Sequence, residues 1–480
     1  MANPVLILHG WSDKAESFVA LKQWLVARGH PTEDVLFGNY ESMEDHVTFD
    51  DLADGLQTRL DALKRKGRLS LAPFSVDVIV HSTGGPVIRH WLNHYVRDVC
   101  GGDYGQCPIA RLIMLAPANF GSRLAAQGKS ALAKVFRGGM ANGFMTGRRI
   151  LEGLELGSPV LWGMAERDLF CGKPVYPVGD RGPWAFVFSG TRTYSELKGF
   201  VAKGAAEDGS DGTIRAAAAA LDSVRFRVDY RIPEGKHVSV ERSRSAPVAF
   251  RLVEGVNHTE IVPQDATAPI LPLVERCLQV ADGAAYEKLR NEFGKANQAF
   301  YDRQAAAALG SDDRVHAYQQ FIVRVRDDMG NDVDDYRLDF HVVDAEIARS
   351  AWDARSGTDK TLAALKRYQG LTQRLNEEVL VDVVPHSVNR SYRTFFVNLD
   401  ALAQLQRDLP AKAFIGLNLD ASGPTTDLSY DTDDLRYLPA VVKLQAEDGS
   451  MLDFFARNTS TLVEFTVQRV PSQRVFDVYP

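Results

Sequence analysis

The segment Val80-His81-Ser82-Thr83-Gly84-Gly85 sets a serine between a strand-forming run, VDVIV, and a helix-forming run, PVIRHWLNHYV. A serine hydroxyl is a weak nucleophile. It needs a base to take its proton, and a sharp turn with small neighbours to present it to a substrate. Gly84 and Gly85 supply the room after the serine. Val80 stands where the usual G-x-S-x-G turn has a small residue, so the turn must accommodate a β-branched side chain at its entry. Read without chemistry, Ser82 is an ordinary helix-capping serine; the strand–HSTGG–helix context favours the nucleophile. The chemistry it implies is acyl transfer, in which a covalent intermediate on the serine is released by water.

Such a serine needs a base and a carboxylate to orient it. Of eleven histidines, His9 and His81 lie next to the chemistry and read as shaping their loops. His90 and His94 fall on the helix after the serine and read as structural or exposed. His237 sits in a polar loop ahead of the last strand. His258 follows FRLVEGVN, a strand and then a loop. The candidate carboxylates Glu207, Asp208 and Asp211 share one polar loop, AAEDGSDGTI, which otherwise reads as a solvated turn. Asp168, in MAERDLF, is a more remote candidate.

The elements that must position these residues alternate between strand and helix. VLILHG is a short apolar run of the kind buried on both faces of a parallel sheet. SFVALKQWLVARG follows at helical spacing, then DVLFGNY as a strand and FDDLADGLQTRLDALKRKG as an amphipathic helix. ARLIMLAPANFGS, WAFVFSGT and FRLVEGVNH supply later strands. The expectation is an α/β domain over residues 1–282 with a mostly parallel sheet. A helical cap is expected at about 120–170, over the sheet edge where ligands of such folds bind.

On these residues the first 280 or so positions resemble the lipase and esterase branch of the α/β-hydrolases. His9-Gly10-Trp11 after the first strand resembles the oxyanion loop, and Leu115-Ala116-Pro117 with Asn119-Phe120-Gly121-Ser122 resembles the strand and loop that open the lid. Ser210-Asp211-Gly212-Thr213 resembles the loop of the catalytic acid, and Val256-Asn257-His258-Thr259 that of the catalytic histidine. The resemblance implies a triad of Ser82, Asp211 and His258 in the family's chain order, with Asp208 the alternative acid. It also implies an oxyanion hole formed by the backbone N–H groups of Trp11 and Thr83.

Residues 120–151 carry Arg123, Lys129, Lys134, Arg137, Arg148 and Arg149 and no acidic residue, interleaved with apolar residues that include Phe144 and Met145. Phe120, Phe144 and Met145 are the candidate substrate-binding residues. The mixture suits a lipid with an anionic head group or an anionic membrane surface, and equally an ordinary solvated lid.

After a helical linker expected at 283–309, residues 310–480 read as a β-sandwich-like domain. A hairpin signal lies at QFIVRVRDDMGNDVDDYRLDFHVV and one helical excursion near 358–377. The acidic cluster Asp327, Asp328, Asn331, Asp332, Asp334 and Asp335 offers oxygen ligands for calcium but lacks the glycine and glutamate of an EF-hand loop; a solvated turn fits it better.

The 480 residues are 45% hydrophobic and 24% charged, with a net charge of −7. That balance argues for a globular protein and against a general nucleic-acid binder. Four cysteines show no metal or redox spacing and read as free thiols, with a Cys100–Cys107 bridge as the alternative. MANPVLILHGW enters a strand at once and no apolar run suffices to span a bilayer. A soluble protein is expected, cytoplasmic or exported without a Sec-type signal. The expected activity is hydrolysis of carboxylic esters, those of acylglycerols or phospholipids first, with no cofactor and no metal. A small-molecule esterase or thioesterase is the alternative, as is a non-catalytic lipid-binding protein on the same scaffold.

Overall fold

Val5–Leu8 (β1) is buried along its whole length, as the sequence VLIL requires of a strand covered on both faces. It pairs in parallel with Val35–Gly38 (β2) on one side and Val76–His81 (β3) on the other. Ile109–Leu115 (β4) and Trp184–Gly190 (β5) continue the sheet beyond β3. The next two strands, Ser223–Asp229 (β6) and Val238–Arg242 (β7), belong to a different sheet. Ala249–Val253 (β8) returns to the first, giving a six-stranded parallel sheet in the order β2-β1-β3-β4-β5-β8.

The chain steps to one side of β1 to form β2 and then to the other side to form β3. The loops leaving β1 and β3 therefore part at a topological switch point, where parallel α/β sheets bind their ligands. His9-Gly10-Trp11 leaves β1 there and Ser82 leaves β3.

The structure, a computed structural model, describes residues 2–11, 15–126, 147–176, 182–194, 207–232, 238–243, 247–307, 314–344, 366–431, 438–440, 443–445, 451–476 and 478. The chain divides into two units, Met1–Asp222 with Ser243–His316, and Ser223–Arg242 with Ala317–Pro480.

In the first unit the helices Val19–Ala27 (α1), Phe49–Arg65 (α2) and Gly84–His94 (α3) accompany the first strands. Thr48 caps α2 by accepting from the Asp51 N–H, while the Asp51 carboxylate accepts from the Thr48 N–H. Between β4 and β5 the described residues are helical at Arg123–Ala126, Arg148–Leu154 and Pro159–Asp168, where the cap is expected. No described helix is long and apolar enough to cross a membrane.

The stretch expected as a linker is part of this unit. Gly283–Ala306 is one helix that buries Tyr286, Leu289, Phe293 and Phe300 along one face. Its Tyr286 hydroxyl donates to the Ala185 carbonyl of β5, and its Asn297 Oδ1 accepts from the Leu252 N–H of β8.

Among the described residues the second unit joins Tyr318–Asp327 (β9), Tyr336–Asp344 (β10), Leu380–Pro385 (β11), Tyr392–Asn398 (β12), Ala413–Ala421 (β13) and six further strands, of which Ser460–Val467 is the longest. Its main sheet runs β11-β12-β9, then Ser460–Val467, then β6-β7. The hairpin 223–242 is thus the difference from the expected boundary: its strand β6 pairs in parallel with a segment more than 200 residues away, Phe226 opposite Val463. A second sheet holds β10 and β13. Phe340 of β10 meets Phe395 of β12 edge-on at 4.9 Å, so aromatic side chains fill the space between the sheets as in a sandwich.

The acidic cluster at 327–335 makes a turn in which the Asp327 and Asp332 carboxylates are engaged. Asp327 accepts from the backbone N–H groups of Met329 and Asn331 and pairs with Arg469. Asp332 accepts from Asn389. All four cysteines are free thiols.

Candidate active site

Ser82 follows β3 directly and has φ = +53°, a backbone conformation that costs a non-glycine residue about 1–3 kcal/mol. The strain is held by hydrogen bonds on both sides. The Ser82 N–H donates to the Leu115 carbonyl, and its carbonyl accepts from Gly85 and Ala118. Three glycines leave the space. A Cβ on Gly84 would lie 3.0 Å from the His9 carbonyl and 3.3 Å from Val80 Cβ, and one on Gly85 would lie 2.6 Å from Pro117 Cβ. Gly84 is therefore what accommodates Val80, the residue that departs from the usual turn. A Cβ on Gly10 would meet Ser82 Cβ at 2.9 Å, so the loop after β1 lies directly against the serine.

Ser82, His258 and Asp211 form one hydrogen-bonded chain. The Ser82 hydroxyl is 3.0 Å from His258 Nε2, and His258 Nδ1 is 2.8 Å from Asp211 Oδ2. All three side chains are buried. The second carboxylate oxygen, Asp211 Oδ1, accepts from the backbone N–H groups of Thr213 and Ile214 at 3.0 and 2.8 Å. The His258 N–H donates to the Asp211 carbonyl at 2.9 Å, tying the two loops together. A carboxylate so fixed selects the imidazole tautomer with its lone pair toward the serine.

The other carboxylates are committed elsewhere. Asp208 accepts from the N–H and Nδ1 of His316. Glu207 pairs with Arg123. Asp168 lies fully buried in a two-pronged pair with Arg89 at 2.8 and 3.0 Å and accepts from the Tyr176 hydroxyl at 3.0 Å. Burial and the adjacent Asp168 push the Tyr176 hydroxyl well above its ordinary pKa. Neither Asp208 nor Asp168 stands beside His258.

His9 and His81 shape loops, as expected. His81 Nε2 donates to the His258 carbonyl at 2.9 Å. His9 stacks on Tyr40 at 4.4 Å, accepts from the Tyr40 N–H at Nε2, and its carbonyl accepts the Tyr40 hydroxyl at 2.6 Å. Tyr40 was not singled out in the sequence, although an aromatic residue just past a strand end at the switch point is a usable signal. Arg89 was also missed; its signal is a charged residue amid the apolar PVIRHWL, which must find a partner if buried.

Trp11 is buried in the loop against Ser82, and Thr83 follows Ser82 at the head of α3. Phe120 has no exposed surface and its ring lies 5.7 Å beneath the Arg89 guanidinium. Phe144 and Met145 lie outside the described residues. Of the basic residues near the cap, Arg123 pairs with Glu207, and Arg148 and Arg149 lie 3.5 Å from Glu152.

No protein-family model and no curated protein matches this chain. Among solved structures, phospholipase PlaB from Legionella pneumophila is similar over 99% of this chain and 96% of its own, at 25% identity and a TM-score of 0.77. The same phospholipase in complex with thio-NAD gives 25% identity, the same coverage and a TM-score of 0.76.

Proposed function

The chain is a lipase-like α/β-hydrolase, and we propose that it cleaves carboxylic esters of lipids through an acyl-enzyme on Ser82. The observation that carries this reading is the unbroken chain from the strained serine through His258 to the doubly anchored Asp211. In the reaction Ser82 Oγ attacks the ester carbonyl carbon while His258 Nε2 takes its proton. Asp211 stabilises the imidazolium. The tetrahedral oxyanion sits against the backbone N–H groups of Trp11 and Thr83. Its collapse expels the alcohol, which receives the proton from His258, and leaves the acyl group on Ser82. Water, deprotonated by His258, then attacks the ester carbon; collapse breaks its bond to Ser82 Oγ, which takes the proton back from His258, and the acid leaves.

Two observations support a lipid substrate. The similarity to a phospholipase extends over nearly the whole of both chains, second unit included. In the first unit a largely apolar groove of about 560 Å3 runs between α2 and the edge strand β2, lined by Leu36, Phe37, Leu56 and Leu63. It reaches Leu8, just before the oxyanion loop, and Val87 on the helix that follows the nucleophile. Its size is within the range of about 300–1,000 Å3 of small-molecule sites.

The test is hydrolysis of p-nitrophenyl esters of increasing chain length and of phospholipid vesicles with and without anionic lipid, by the wild type and Ser82→Ala. Ser82-dependent turnover that rises with chain length or on vesicles supports the reading. Turnover confined to short esters would replace it with a small-molecule esterase. Because one neighbour was solved with thio-NAD, thermal shifts with NAD belong in the same series; stabilisation would add a dinucleotide ligand to the reading.

A further inference from the structure

A second histidine–carboxylate cluster lies in the first unit, apart from the triad. His90 and His94 are four residues apart on α3 and so project from one face of that helix, one turn apart. Asp50 stands in the first turn of the neighbouring α2. His90 Nε2 is 2.7 Å and His94 Nε2 is 3.4 Å from the same oxygen, Asp50 Oδ1, and the two imidazole rings lie 4.5 Å apart. One ligand atom from each of the three residues falls within 4.8 Å of the others, and among the described residues no other group of three His, Cys, Asp or Glu converges in this way.

We propose that Asp50, His90 and His94 form a site for a first-row divalent transition-metal ion of the zinc class, which ties α2 to the helix that follows the nucleophile. Two imidazoles and one carboxylate are a donor set such ions favour, and paired histidines at i and i+4 of one helix are a recurrent way to hold them. The three donor atoms, all within 4.8 Å of one another, must draw together around the ion. Donor atoms of a tetrahedral zinc site lie about 3.3 Å apart. The His94–Asp50 separation of 3.4 Å already matches. The His90–Asp50 contact must open by roughly 0.6 Å, and the Asp50 side chain, 68% exposed, is free to do so.

The second nitrogen of His94, Nδ1, lies 3.9 Å from Asp98 Oδ2, whose carboxylate is held by Arg97. The nearby Arg167 and Arg97 are the opposing charges, and Asp50 and Asp98 offset them. Water would complete the coordination from the exposed side.

The experiment uses the untagged full chain, stripped with chelator and titrated with zinc chloride by calorimetry and thermal shift. Cobalt(II) absorption reports coordination directly. Asp50→Asn and His94→Ala alter the two partly exposed ligands, so neither places the fold at risk as a change at buried His90 would. His258→Ala removes the other candidate histidine for adventitious binding. The expected result is one zinc per chain with a rise in melting temperature, retained in His258→Ala. Affinity should fall at least about tenfold in Asp50→Asn and His94→Ala, with loss of the tetrahedral cobalt spectrum. Magnesium and calcium should not stabilise the chain. The inference is overturned if the wild type binds no zinc, if either ligand variant binds as the wild type does, or if calcium stabilises equally. Ester hydrolysis, measured in parallel, is independent of this outcome: an active enzyme without zinc binding would sink the metal site alone.

Discussion

His258 and His90 each hold an imidazole nitrogen within hydrogen-bond distance of an aspartate, 2.8 Å from Asp211 in one case and 2.7 Å from Asp50 in the other. Around that common pair the two clusters are built in opposite ways. Asp211 is buried, two backbone N–H groups hold its other oxygen, and His258 Nε2 faces the Ser82 hydroxyl. Asp50 is largely exposed, and a second imidazole converges on the same oxygen. A fixed carboxylate and one hydroxyl make a proton relay. A movable carboxylate and two imidazoles make a ligand set. What decides the chemistry is the third group and the freedom of the acid, more than the histidine itself.

The comparison breaks first at Ser82. Ser82→Ala should lower ester turnover by roughly 10⁴–10⁶-fold with the fold intact, measured by initial rates and circular dichroism. Next, Asp211→Asn should cost about 10⁴-fold, because an amide can hold the wrong imidazole tautomer. Asp208→Asn, whose partner is His316, should leave kcat within about threefold, since it removes nothing the reacting groups contact. If the two variants exchanged these outcomes, the acid would be Asp208.

A third buried carboxylate sharpens the contrast with an effect on stability. Asp168→Asn leaves the Arg89 guanidinium enclosed with half its partner gone, and should destabilise the chain by about 3–5 kcal/mol in urea titrations. Tyr40→Phe removes one hydroxyl from the His9 carbonyl. It should cost about 1 kcal/mol, seen as a several-fold fall in kcat if the His9-Gly10-Trp11 loop positions the oxyanion.

The smallest effect concerns Asp77, whose pKa is raised above 3.8 by burial, against the pull of Arg111. Folded Asp77 thus holds its proton more tightly than the unfolded chain does. Its stabilising contribution is present below the unfolded value and is lost as pH rises through the folded one. Asp77→Asn should flatten that loss in urea midpoints measured from pH 4 to 7.

Much of this arrangement was legible because it is local. The strand, turn and helix around Ser82 are contiguous, so Val80 and the Gly84-Gly85 pair that makes room for the turn sit within six positions, while Gly10 and Leu115 join them only through the fold. The loop with Asp211 was legible as a loop. Its preference over Asp208 rested on the S-D-G resemblance; in the structure the Thr213 and Ile214 N–H groups hold Asp211, and His316 takes Asp208. Phe120, a candidate substrate-binding residue in the sequence, is buried with its ring 5.7 Å from the Arg89 guanidinium. The hairpin of β6 and β7 was missed for a different reason. SVRFRVD alternates as a strand should, but its partner Ser460–Val467 is too remote in sequence for local pattern to assign the two to one sheet. The His90–His94 spacing was visible as a shared helix face; Asp50, the residue that completes the cluster, comes from another helix.

The most direct measurement of the central claim is intact-mass analysis after treatment with a fluorophosphonate, which reacts only with a serine whose base and oxyanion site are assembled. The expected result is a single adduct on the wild type that maps to Ser82, is absent in Ser82→Ala and His258→Ala, and forms far more slowly in Asp211→Asn. An unlabelled wild type, or an adduct that persists in Ser82→Ala, would contradict it.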